Sequence, residues 1–201
     1  MMPGNVHLAA GRDDGGVSLE EALRRRCSIR DFSDTALTLG EVSQLLWAAQ
    51  GVTHGDGLRT SPSAGALFPL EVYVTAGRVQ GIDGGVYKYR PAAQQLTGIN
   101  QEDMRPALAA AALDQPCVSG CAALLVFSAV TERTTRKYGE RGTRYVHMEA
   151  GHAAQNAFLQ ATALDVGAVM VGAFDDERVR RLMAMAEGEH PLYLMPLGRP
   201  A

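Results

Sequence analysis

MEAGHAAQNAFLQATALDVGAVMVGAFDD, Met148 to Asp176, holds most of a helix, a strand and the start of a second helix in one stretch. The helical pattern begins upstream at Thr143 and runs to Leu164, the longest in the chain. Its apolar residues occur all round rather than along one stripe, so both faces must be covered. Gly151, Ala153, Ala154, Ala157 and Ala161 keep it slim enough for another helix to approach closely. Glu149, His152, Gln155 and Asn156 are too many polar groups for a simple core helix. Each one buried without a partner would cost about 1–3 kcal/mol. Two explanations stand, an internal hydrogen-bond network or a role at a site. His152 lacks the second His or Cys that a metal site requires. Gly167 to Val171 is then a short strand, and Asp175 to Met185 a helix. At their junction, Val171-Gly172-Ala173-Phe174-Asp175, small residues leave backbone N–H groups open to an electron-rich ligand atom.

Outward from this stretch the same alternation continues. Pro191 to Leu197 is a strand, and the nearly all-apolar Cys121 to Val130 a fully buried one. Gln101 to Leu113 is an Ala-rich helix that tolerates Pro106 near its first turns. Leu70 to Ala76 and Val86 to Tyr89 are strands joined by a Gly-rich turn at Gly81 to Gly85. Ser18 to Glu21 and Thr38 to Glu41 both have the capping-box form S/T-x-x-E and each opens a helix. The second helix aligns Val42, Leu45, Leu46 and Ala49 on one face and ends at Gly51. Met1 to Val17, rich in Gly and Asp, reads as a flexible arm or a segment ordered only by a partner. Residues 18–201 form a single domain of mixed α and β structure.

The chain has 201 residues, 46% of them hydrophobic, enough for one substantial core. A formal net charge of -3 offers no broad basic field, which argues against nucleic acid as a partner. No apolar run is long enough to cross a bilayer, and the first residues lack the apolar core of a signal peptide. Cys27, Cys117 and Cys121, odd in number and without framework spacing, fit a reducing cytoplasm. Cys117 and Cys121 read as small buried residues, and no metal site is expected.

Arg24, Arg25, Arg26 and Arg30 crowd four cations into seven positions of an acidic chain. Such a group is either a solvated helix end or the seat of an anion, and Arg matches phosphate oxygens in pairs. Arg26 and Arg30 are four apart, and Ser28 between them can donate to the same anion. Ser61-Pro62-Ser63-Ala64-Gly65 is either an ordinary turn or a loop that closes on a flat or polar ligand. Dinucleotide-fold, phosphate-loop and serine-hydrolase fingerprints are missing from the sequence.

Taken in order, RCSIRDF, LLWAAQG, SPSAGALFPLEVYV, KYGERGTRY, the opening stretch and PLYLMPLGRP resemble the FMN-dependent nitroreductase superfamily. The resemblance is greatest to its SagB-type dehydrogenase branch and runs from about Ser18 to the C-terminus. It implies an α+β fold with a central, mostly antiparallel sheet flanked by helices, working as an intertwined homodimer. By that similarity Arg26, Ser28 and Arg30 would hold the FMN phosphate and ribityl chain, with Arg199 adding a further cation. Pro62, Ser63, Ala64 and Gly65 would reach the flavin from the other subunit. Val171, Gly172 and Ala173 would face the isoalloxazine near N5. Cys27 occupies a cofactor-binding position where many members carry Arg or His, so one phosphate-facing charge is missing. The branch's azole-forming oxidases use a Lys-Tyr pair as acid and base, and Lys137-Tyr138 matches it. A simply solvated Lys137 is the alternative.

The expected activity is that of an FMN oxidoreductase passing hydride through flavin N5 from NAD(P)H to a nitroaromatic, quinone or similar acceptor. Oxidation of an azoline or similar C–N bond by Lys137 and Tyr138, or a flavin-binding module without its own substrate, are the alternatives.

Overall fold

The computed structural model describes residues 4–201. Its main sheet contains β1 (Val6–His7), β3 (Leu70–Ala76), β5 (Gly85–Arg90), β6 (Gln95–Asn100), β7 (Ala123–Val130), β8 (Gly167–Ala168) and β9 (Glu189–Gly198). Their order is β1-β6-β5-β3-β7-β9-β8, and every neighbouring pair is antiparallel. β2 (Leu37–Thr38) and β4 (Val79–Gln80) form a separate two-stranded parallel pair. The helices are α1 (Leu19–Arg25), α2 (Leu39–Gln50), α3 (Arg105–Ala111), α4 (Pro116–Gly120), α5 (Glu132–Tyr138), α6 (Arg141–Ala163) and α7 (Asp176–Leu182).

β7 shows why a continuous apolar run is needed at the centre. Leu125, Phe127 and Ala129 pack into the core shared with α2 and α6, whereas Leu124 and Val126 join α3, α4 and α7 on the opposite face. A strand covered on both sides has no polar face to offer. The fold is therefore α+β, with helices on both faces of the sheet.

Both expected N-caps form. Ser18 Oγ accepts from Glu21 N at 3.1 Å. At α2 the exchange is reciprocal: Glu41 N donates to Thr38 Oγ1 at 3.2 Å and Thr38 N to Glu41 Oε2 at 2.8 Å. The α3 helix starts at Arg105 rather than Gln101; just before it Asp103 accepts from Arg105 N at 3.1 Å, a local turn that competes with helix. Cys117 and Cys121 are buried as expected, and burial pushes the Cys121 thiol up to about 12.

Part of the N-terminal segment, expected as a flexible arm, makes ordered contacts with the body of the fold. Met1 to Pro3 lie outside the described residues. From Val6 onward the chain is tied down: Val6 pairs with Leu96, Leu8 N donates to Gln94 O at 2.9 Å, and Leu8 is buried. Arg12 N donates to Gln44 Oε1 at 2.8 Å, and Gln44 Nε2 returns a bond to Arg12 O at 2.9 Å. Buried side chains of α2 thus supply the partners that Gly and Asp composition conceals.

A charged network crosses the sheet and reaches the loop that precedes β3. Glu189 is fully buried and accepts from Tyr73 OH at 3.1 Å, Lys88 Nζ at 3.1 Å and Ser128 Oγ at 2.6 Å. Lys88 Nζ also lies 3.4 Å from Glu71 Oε2. Glu71 in turn pairs with Arg133 of α5, whose other nitrogen donates to Phe68 O at 3.1 Å. Burial, then the Glu189 charge, pushes the Tyr73 hydroxyl's pKa up.

Candidate active site

Two groups of residues gather along α6. The first is the loop 61–68. Ser61 Oγ donates to Ala49 O at 2.7 Å, and Asn156 of α6 donates to Thr60 O at 3.1 Å and Ser61 Oγ at 3.3 Å. Ser63 Oγ accepts from Phe68 N at 2.9 Å, and Ser63 O from Ala66 N at 3.0 Å. Between them Gly65 takes φ +65°, a left-handed backbone that favours glycine.

Space demands glycine there as well. A Cβ on Gly65 would stand 2.7 Å from Tyr138 OH and 2.9 Å from Lys137 Nζ. The sequence named this loop and the Lys-Tyr pair separately, and the fold brings them together. Tyr138 is half-buried and packs edge-on against Tyr145 at 5.2 Å and 87°. Lys137 Nζ sits 5.4 Å from the Tyr138 ring. Gly139, at φ +59°, ends α5 directly after the pair and separates it from α6.

Beneath the loop lies Glu149, only 3% exposed, with Oε1 lacking a hydrogen-bond partner among the described residues. Burial raises its carboxyl to about 7, against weaker opposing pulls from the Ser63 hydroxyl and Arg59. His152 and Gln155 face outward instead, so no internal network joins Glu149 to them. A folded-state pKa above the unfolded 4.5 means the penalty is absent at low pH, grows from about 4.5 to 7, and persists above. Glu149→Gln is therefore expected to leave stability unchanged at pH 4 and raise it by up to about 3 kcal/mol at pH 8. Urea unfolding at the two pH values checks this; an equal effect at both would contradict it.

The second group is the Arg-rich turn after α1. Arg26 lies 4.9 Å over the Phe158 ring, and Ile29 N donates to Ala168 O at 2.8 Å, tying the turn to β8. Arg25 pairs with Asp165 and Glu21, but Arg26 and Arg30 form no ion pair among the described residues. Ser28, Cys27 and Arg30 are exposed, and Cys27 lines a 160 Å³ cavity with Phe158 and Thr162. Past the Val171–Leu194 bridge, Gly172 and Ala173 are exposed, and Asp175 caps α7 by accepting from Arg178 N at 2.9 Å.

Arg199, expected as a further cation for the phosphate, is ion-paired in this structure. Its guanidinium pairs with Glu41 and donates to Leu164 O at 3.3 Å, because the capping carboxylate of α2 lies within reach of the β9 end. Phe158 and Glu149 are nine positions apart on α6, about 14 Å of helix. No hydrogen bond or ion pair among the described residues joins the two groups.

The sequence profile of the Nitroreductase family matches residues 23–199. The chain belongs to the nitroreductase family. A protein of Methanocaldococcus jannaschii named as a nitroreductase is 48% identical over 183 residues, 91% of each chain. A crystal structure of a family member from Anabaena variabilis superposes with TM-score 0.87 at 29% identity, covering 99% of this chain and 42% of that one. The Escherichia coli microcin synthetase McbBCD complex, with a truncated pro-peptide bound, shares the fold: TM-score 0.79, 24% identity, 98% and 78% coverage. No described helix is long and apolar enough to cross a membrane.

Arg59 escaped the sequence reading. It donates to Gln50 Oε1 at 2.6 Å, lies 4.4 Å over the Phe68 ring and stands beside Glu149. A single Arg in a Gly-rich loop carries no local signal of those long-range contacts.

Proposed function

We propose that this nitroreductase-family oxidoreductase uses FMN and works as a homodimer. The observation that carries the reading is the meeting of Lys137 Nζ and Tyr138 OH at Gly65. A proton donor and a cation held together on a ligand-loop glycine suit acid-base work beside a redox cofactor. FMN, when bound, supplies hydride transfer.

The donor set fits that cofactor. Arg26 and Arg30, without ion pairs among the described residues, and the exposed Ser28 hydroxyl match a phosphate. The backbone at Val171, Gly172 and Ala173 would meet the ring. The loop from Pro62 to Gly65, which no hydrogen bond or ion pair among the described residues joins to the Arg-rich turn, would serve a flavin held by the other copy. The outward face of α6, with Met148, His152 and Gln155, would then lie against that copy. NAD(P)H is the proposed electron donor and a nitroaromatic or quinone the acceptor.

A second reading shares the same residues. The convergence of Lys137 and Tyr138 also suits proton removal from an azoline during its oxidation, and the shared fold with the microcin synthetase complex supports it.

The purified protein is expected to take up FMN, show flavin absorbance and bleach on anaerobic addition of NAD(P)H. Arg30→Ala should weaken FMN binding at least about tenfold. A colourless protein that takes up no FMN would sink both readings. Bound FMN that NAD(P)H does not reduce would leave the azoline oxidase or a flavin-binding module.

A further inference from the structure

A cavity of about 420 Å³ opens beside the candidate catalytic loop, within the size range of small-ligand sites. Leu58, Pro62 and Phe68 give it apolar walls, and Arg59, His54 and Ser63 give it polar ones. Arg59 is half-buried yet makes no ion pair among the described residues. The carboxylates that bear on it are Glu71 and Glu149. Glu71 is already taken by Lys88 and Arg133. Glu149 lies behind the cavity wall with one oxygen unpartnered.

We propose that this cavity takes the carboxylate, or an equivalent oxyanion, of a small ligand with an apolar body, and that Glu149 competes with that anion for Arg59. A guanidinium withdrawn from water and left without a counter-charge attracts one, and burial already pushes its pKa down. With Glu149 neutral, Arg59 rests on Gln50 and Phe68 and its charge is open to the cavity. With Glu149 ionised, the unpartnered oxygen needs a donor, and Arg59 is a cation whose charge bears on it. Proton and anion therefore bind together, each favouring the other. The other groups facing Arg59 are Arg133 and Tyr89, and His54 shares the cavity.

The inference rests on the oxidoreductase reading only in naming an anionic second substrate, because ligand binding is measured without turnover. Benzoate is the probe and benzamide its uncharged counterpart, titrated by calorimetry into the protein as purified, with FMN content read separately by absorbance. Benzoate affinity is expected to fall at least about fivefold from pH 6 to pH 8.5. Arg59→Gln should weaken it at least about tenfold at pH 6. Glu149→Gln should remove the pH dependence, His54→Gln should keep it, and benzamide should show none.

Equal binding by Arg59→Gln, or an FMN-filled cavity closed to benzoate, would overturn the site. A pH dependence that survives Glu149→Gln, or disappears with His54→Gln, would overturn the competition. A protein that takes no FMN yet binds benzoate through Arg59 would upset the flavin reading and uphold this one.

Discussion

Lys88→Met is expected to destabilise the fold by about 3–5 kcal/mol, the usual consequence of removing one partner from a buried ion pair. Lys88 Nζ lies 3.1 Å from the fully buried Glu189 and 3.4 Å from Glu71. Without it the Glu189 carboxylate keeps, among the described residues, the Tyr73 and Ser128 hydroxyls, neither of which carries charge. Methionine replaces most of the alkyl stem, so lost packing is a small part of the effect. Urea titration measures the loss. Adding Glu189→Gln to Lys88→Met should recover part of it, because the stranded charge is then gone. A loss under about 1 kcal/mol in the single variant would show that the pair carries little of the sheet's stability.

Gly65→Ala should act on turnover far more than on folding. The positive φ costs alanine about 1 kcal/mol. Its Cβ would meet Tyr138 OH and Lys137 Nζ, the mobile ends of two side chains, so these would yield rather than the loop. Displacing catalytic groups by an ångström can lower turnover about 100-fold. Tyr138→Phe removes the hydroxyl without any clash and should lose activity comparably while flavin remains bound. Steady-state kinetics alongside a melting curve separates the two effects. Wild-type turnover in Gly65→Ala would mean that the pair's position at the loop does not matter.

The elements legible from sequence are those whose own pattern determines them. Leu70–Ala76 was readable as a strand to the residue, and Thr38 and Ser18 as caps, because apolar periodicity and capping chemistry are local. β6 was missed because Gln95-Leu-Thr-Gly-Ile-Asn has a glycine where a strand usually places a packing side chain. α5 was missed for a related reason. Glu132-Arg-Thr-Thr-Arg-Lys-Tyr has no apolar stripe, and its anchors are remote, Arg133 reaching Glu71 and Phe68 O.

The site divides the same way. Ser61 to Gly65 and Lys137-Tyr138 were each visible as chemistry, but their meeting depends on how α5 docks. Glu149 stood out as a polar residue in a buried helix, yet its isolation from His152 is set by which face turns inward. The pairing of Arg199 with Glu41 was not legible because the two are distant in sequence.

The two-residue strand at the N-terminal end has a consequence for the protein's behaviour in concentrated solution. Val6 and His7 cover β6, and at the other margin β8 is equally short. β1 pairs only with Gln95 and Leu96, so residues 97–100 of β6 have no strand partner on that side among the described residues. Loss of residues 4–8 would extend that open edge from four residues to all six of β6, nearer the length that recruits a neighbouring chain into a continuous ribbon. The opening segment thus shortens the edge open to a neighbouring chain without closing it.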